Sequence, residues 1–177
     1  MRLVAHRRGH ITMTEDEVAD FVREQRTATV ATYGARGAVH LVAMWYAVLD
    51  GDRADAGPTL WIETKATSQK VVNLRRDDRM SVLVEAGDTY DQLRGVAMEG
   101  RGVVVDDPAV VWRVCVDVFE RYQGPYSEEV RPLVEEMARK RVAVRLEVER
   151  TRSWDHRKLG LPPMEVAGST APPPADD

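Results

Sequence analysis

The stretch Thr64-Lys-Ala-Thr-Ser-Gln-Lys70 carries the residue types best suited to chemistry, and what they suit is holding an anion. A strand ending at Thr64 and a helix opening after Thr67 would expose unpaired backbone N–H groups and the positive end of the helix dipole. Lys65 at the strand end and Lys70 inside the helix bring two ammonium groups to that place, and the hydroxyls of Thr67 and Ser68 add donors. These are the parts of a phosphate cradle built without a glycine-rich loop. The same residues also suit an ordinary N-capped helix with two solvated lysines, and the local sequence leaves both readings open.

A second concentration is Ser153-Trp-Asp-His-Arg-Lys-Leu-Gly160, just past the last expected strand. Trp154 suits covering a cofactor or substrate while Arg157 and Lys158 meet an anionic group. The alternative is an exposed chain end whose Trp154 anchors the last strand. His40 and His156 are the titratable groups near these segments, and a lone His is more often structural than a proton donor. Cys115 sits in the apolar stretch Val114–Phe119 without a neighbouring base, so it reads as a packing thiol. No His, Cys or carboxylate cluster has metal-ligand spacing, so no metal site is expected. No Ser/His/Asp arrangement is present either, so no catalytic residue is assigned.

The elements that must position these groups follow from periodicity. Thr14-Glu-Asp-Glu17 is a capping box opening a helix to about Arg26, with Val18, Phe21 and Val22 on one face. Thr27–Tyr33 is β-branched, Gly34-Ala-Arg-Gly37 is a turn, and Ala38–Leu49 returns as a second strand. Both faces of that strand are largely apolar, so one fills the core and the other meets a helix, a cofactor or a second subunit. Beyond the polar loop Asp50–Pro58 come a strand at Thr59–Thr64, a helix from Ser68 to about Arg76, and strands at Arg79–Glu85 and Leu93–Val105. Gly100 and Gly102 mark a bend in the last of these. Asp107 and Pro108 start a helix running to Tyr122, Ser127–Lys140 reads as another, and Arg141–Arg150 alternates as a closing strand. Strands in hairpins rather than βαβ units give a mainly β (α+β) fold, an antiparallel six-stranded barrel with flanking helices. The expected organisation is an N-terminal arm at 1–13, the barrel at 14–160, and a disordered Pro/Ala-rich tail at 161–177.

The ordered series of pieces resembles the pyridoxamine-phosphate-oxidase-like split β-barrel superfamily, and within it most nearly the flavin/deazaflavin (F420-dependent) oxidoreductases of actinobacteria. The pieces are Thr29-Val-Ala-Thr32, Gly37-Ala-Val-His-Leu-Val-Ala-Met-Trp-Tyr46, Ser68-Gln-Lys-Val-Val-Asn-Leu-Arg-Arg-Asp77, Tyr90-Asp-Gln-Leu-Arg-Gly-Val96 and Glu99-Gly-Arg-Gly102. The resemblance implies a homodimer with two cofactor sites at the subunit interface and a small-molecule substrate. It implies that Lys65, Ser68 and Lys70 hold the cofactor phosphate and that Val42, Ala43, Met44 and Trp45 lie along the ring system. Trp45 and Trp61 also suit plain core aromatics. Asn73 reaches the site from the helix or is solvated. Arg157 and Lys158 would suit the oligoglutamate tail of F420, the expected cofactor, with FMN as the alternative. A non-catalytic flavin- or haem-binding protein is the other reading. Gln69 stands where pyridoxamine phosphate oxidases tend to have Arg, and their C-terminal substrate motif is not recognisable, which counts against the vitamin B6 reaction.

Composition agrees with a single domain. The 177 residues carry 25 Lys+Arg against 29 Asp+Glu, a net charge of −4, which argues against a general nucleic-acid binder. No apolar run approaches the ~18 residues of a membrane span. The basic start Met1–Arg8 lacks the apolar stretch of a secretory signal, so a cytoplasmic protein is expected.

Overall fold

The computed structural model describes residues 9–50 and 58–166. Residues 1–8, 51–57 and 167–177 lie outside the described residues, and with them the expectations for the basic start, most of the polar loop and most of the tail. Helix α1 (Glu15–Glu24) opens on the expected capping box: the Thr14 N–H donates to Glu17 Oε2 at 2.7 Å and the Glu17 N–H to Thr14 Oγ1 at 3.2 Å. It buries Phe21 and Val22. Strands β1 (Ala28–Tyr33), β2 (Val39–Met44), β3 (Ala47–Leu49) and β4 (Thr59–Lys65) follow, then α2 (Gln69–Arg76), β5 (Arg79–Ala86) and β6 (Arg94–Val105). The chain ends in α3 (Pro108–Tyr122), α4 (Arg131–Ala138), β7 (Arg141–Asp155) and a 3₁₀ turn at His156–Leu159.

All seven strands form one antiparallel sheet in the order β2-β1-β5-β6-β7-β4-β3. This is the expected antiparallel split barrel, with seven strands rather than six. The extra strand comes from the stretch Ala38–Leu49, which breaks at Trp45 and Tyr46 into β2, paired with β1, and β3, paired with β4. One straight strand cannot serve both edges of a curled sheet, so the chain crosses between them.

The long β6–β7 ladder supplies the curl. It runs from Arg94↔Asp155 to Val105↔Ala143 with a bulge at Glu99/Gly100. A Cβ on Gly100 would lie 1.9 Å from the Glu147 carbonyl oxygen, so the strands approach here more closely than any side chain permits. β7 continues five residues past the expected Arg150. Its residues Glu147–Arg152 are exposed, and their charges pair across to β6 (Glu149 with Arg101 at 2.9 Å, Arg152 with Glu99 at 2.5 Å), so hydrophobic alternation stops before the strand does. α4 is shorter than Ser127–Lys140, because Pro132 sits in its first turn, where a missing N–H costs nothing.

Two cores result. Inside the barrel Val30, Tyr46, Ile62, Met80, Val82, Val84, Val96 and Leu146 pack together. Behind it α3 and α4 bury Val111, Val114, Val118, Phe119 and Val134 against Trp61 and Ala143. Cys115 belongs to this second core, where burial pushes its thiol up to about 12. Gly100→Ala should cost about 1–3 kcal/mol through forced backbone displacement, seen in thermal melts as a drop of roughly 2–4 °C per kcal/mol. An unchanged midpoint would show that the bulge tolerates a methyl group.

Candidate functional site

β4 ends at Lys65 and the chain turns through Ala66–Ser68, held by the Ala66 N–H to Lys140 O at 3.0 Å and the Ser68 N–H to Lys65 O at 2.9 Å. Ser68 is the N-cap of α2, but its side chain makes no capping bond to the helix. Its Oγ instead accepts from Thr64 Oγ1 at 3.2 Å. The first turn of α2 therefore keeps its capacity for an anion.

Lys70 is the unusual member. The residue is only 8% exposed, and its Nζ donates to Thr64 Oγ1 at 3.1 Å. Among the described residues no carboxylate pairs with it, since neighbouring Glu63 is held by Arg141. Burial draws the Lys70 pKa below the usual lysine value, with Glu63 opposing and Arg141 reinforcing. A buried ammonium with one hydroxyl partner has donors to spare. Lys65 is exposed beside it, opposite Arg141 in the β4–β7 ladder.

Asn73 is fully buried, and its amide bridges Thr32 Oγ1 (3.0 Å) and Gln69 Nε2 (2.8 Å), tying α2 to β1. On β2, Val42 and Met44 are half-buried against the barrel core, whereas Ala43 lies on the outer face. Trp45 is 52% exposed and stacks on Tyr122 of α3, ring centroids 4.4 Å apart and planes 6° from parallel. Trp61, by contrast, is a core aromatic.

The outer sheet face holds a groove of about 750 Å³, lined by Ala31, Leu41, Leu83, Ala97, Arg152 and Trp154 among others. Trp154 lies over Gly95, its cross-strand partner: a Cβ there would meet the indole at 2.1 Å. Ser153, Trp154 and Asp155 are thus part of β7 rather than past it. Arg157 is committed to Asp155 (Nη2 to Oδ2, 2.6 Å) and Lys158 to Glu17 Oε2 (2.6 Å) and Thr12 O (2.9 Å). The hydrogen bond from Arg157 holds the Asp155 carboxyl below its usual range. His156 Nδ1 lies 2.8 Å from Tyr90 O. Within one chain, then, Lys65, Ser68 and Lys70 come together. Trp154 belongs to the outer face, and Arg157 and Lys158 turn toward α1. Thr64 belongs to the stretch the sequence points to, and the structure adds its hydroxyl as the partner of Lys70; Arg141 and Tyr122 carry no local signal.

A curled antiparallel sheet with flanking helices defines a split β-barrel. The profile of the family described as Pyridoxamine 5'-phosphate oxidase matches residues 14–155, and the chain belongs to that family. The crystal structure of a conserved hypothetical protein from Mycobacterium tuberculosis, Rv2991, is 58% identical over 93% of this chain and 98% of its own, with a TM-score of 0.86. An F420 reductase is 21% identical over 75% of this chain and 93% of its own (TM-score 0.55). HutZ, the heme storage protein from Vibrio cholerae, is 13% identical over 80% and 96% (TM-score 0.59). The latter two share the fold alone. No curated protein matches the chain.

Lys70 also has a stability signature. Its folded pKa is lowered, so below it both states are protonated and the cost of burying the charge is fully present. Between that pKa and the ordinary lysine value of 10.5 the unfolded chain holds more protons, and stability rises with pH. Lys70→Met should therefore raise the thermal midpoint of the cofactor-free protein at pH 7, with the gain shrinking as pH climbs toward 10. A lower midpoint at pH 7 would mean that the bond to Thr64 outweighs the burial cost.

Proposed function

We propose that the protein is a dimeric cytoplasmic oxidoreductase that binds F420 and passes a hydride to or from a small organic substrate, with FMN as the alternative cofactor. The observation that carries this is the nearly buried Lys70 ammonium, without a carboxylate partner among the described residues, beside an uncapped helix start, the Ser68 hydroxyl and the exposed Lys65. A phosphate supplies the negative charge and acceptor oxygens that this cradle lacks. Lys65, Lys70 and Ser68 would hold the phosphate, and Val42–Trp45 would lie along the ring. The cofactor supplies the hydride chemistry when bound. Arg157 and Lys158 already have carboxylate partners and take no part in this reading. The preference for F420 rests on the resemblance of the sequence pieces around β2 and α2.

The outer sheet face supports the dimer. Leu41 is 63% and Val39 54% exposed on it, next to the apolar groove, and such a patch is costly to leave in water. A second copy of the chain would cover it.

Protein purified from a host making both cofactors should release a deazaflavin spectrum on denaturation. A flavin spectrum would move the assignment to FMN, and neither would remove the cofactor reading. Lys65→Ala and Lys70→Ala should each weaken cofactor binding roughly tenfold to a hundredfold, as expected for a charge-assisted hydrogen bond of ~1.5–3 kcal/mol. Tight binding without turnover of any acceptor would instead favour a flavin or haem carrier. Sedimentation should give a dimer that Leu41→Glu dissociates; a monomeric parent would sink the dimer.

A further inference from the structure

We infer that Tyr122, at the end of α3, is a positioning residue for the cofactor ring, holding Trp45 flat at the β2–β3 crossing as an aromatic plate with one face open. This rests on the cofactor site proposed above. A core aromatic would be buried on both faces, and a stray surface indole would lack a rigid backing. Trp45 is neither: at 52% exposure it has one face against Tyr122, in near-parallel contact at 4.4 Å.

Tyr122 is itself immobilised at both ends. Its backbone belongs to α3, and its hydroxyl accepts from the Tyr46 N–H at 3.0 Å. The hydroxyl oxygen also lies 2.8 Å from Arg26 O and 3.2 Å from Tyr46 O, so its one proton goes to either carbonyl. These contacts come from two separate junctions, the α1–β1 link and the crossing itself. Arg121, the preceding residue, donates to Gln25 O at 2.8 Å and Arg23 O at 3.1 Å and clamps the first junction further. The plate is thus fixed before any ligand arrives, and a flat ring laid on it costs little side-chain entropy. Its place also fits. β3 pairs with β4 through Ala47↔Trp61 and Leu49↔Thr59, so the crossing that carries Trp45 lies toward the Lys65 end of β4 rather than its Thr59 end.

The test measures dissociation constants for F420, FMN and riboflavin, together with the induced visible circular dichroism of the bound ring. The proteins are the parent, Trp45→Leu, Tyr122→Leu, Tyr122→Phe and both Tyr122 variants in the Trp45→Leu background. Tyr122→Leu should weaken binding of all three ligands about tenfold and remove most of the dichroism, as loss of a ring stack predicts. Tyr122→Phe should weaken it about threefold by freeing the ring from its hydroxyl anchors. Both effects should vanish in the Trp45→Leu background, because Tyr122 acts through Trp45. The FMN-to-riboflavin affinity ratio should be unchanged by either Tyr122 variant and reduced by Lys70→Ala. Unaltered binding in Tyr122→Leu, or losses that add to those of Trp45→Leu, would overturn the inference while leaving the phosphate cradle standing. If Tyr122→Leu does not fold, Tyr122→Phe decides: equal losses with and without Trp45 overturn it. A parent protein that binds none of the ligands removes both the inference and the reading beneath it.

Discussion

The two outer strands of the sheet, β2 and β3, are consecutive in the chain, so the two residues between them must carry the backbone from one edge of the sheet to the other. Trp45 and Tyr46 make that crossing outside the strand ladders, and backbone groups without ladder partners are expensive to bury. Side chains from elsewhere meet the need. The Tyr122 hydroxyl takes the Tyr46 N–H. The Tyr46 ring turns into the barrel core, and its own hydroxyl lies 2.7 Å from Val22 O and 2.9 Å from Gln25 O. Val22 O belongs to the last turn of α1, where carbonyls have no partner within the helix, and Gln25 O to its C-cap. Burial pushes the Tyr46 phenol up to about 12, so it stays a donor across the physiological range. One tyrosine therefore seals the barrel, and another holds the seal from outside.

The candidate site lies to either side of this seam. On one side β2 presents Val42–Trp45, and on the other β4 ends at Lys65 and delivers the chain to α2. The cradle is assembled at a cost. Among the described residues Lys70 is desolvated without a carboxylate partner, although Glu63 is near enough to act on it electrostatically, because Glu63 is already bound to Arg141. Among the described residues the ion pair therefore lies one step away, and the Lys70 ammonium has the Thr64 hydroxyl as its hydrogen-bond partner.

The cationic segment after β7 shows the opposite arrangement. Arg157 and Lys158 have the composition of an anion site, yet each is saturated by a carboxylate, Asp155 two residues back and Glu17 on α1. Lys158 thereby pins the turn after the last strand to the first helix, while Arg157 is bound to Asp155 on β7 itself. Glu17 serves twice, closing the capping box and receiving Lys158, whose hydrogen bond is the main reason its pKa is lowered.

Whatever depended on neighbours within a turn or a strand was legible from the sequence itself. The Thr14–Glu17 box, the Asp107-Pro108 helix start and the grouping of Lys65, Ser68 and Lys70 all rest on contacts between residues a few positions apart. The tertiary structure decided the rest. The apolar alternation of Ala38–Leu49 continues unbroken through Trp45 and Tyr46, so nothing local marks the crossing. β7 runs past Arg150 because of ion pairs to β6, some fifty residues away in sequence. That Glu63 is taken by Arg141 rather than by Lys70, and that Trp45 rests on Tyr122, are both set by partners distant in the chain. Charge and aromatic type belong to the residue; whether that charge or face remains available is a property of what packs against it.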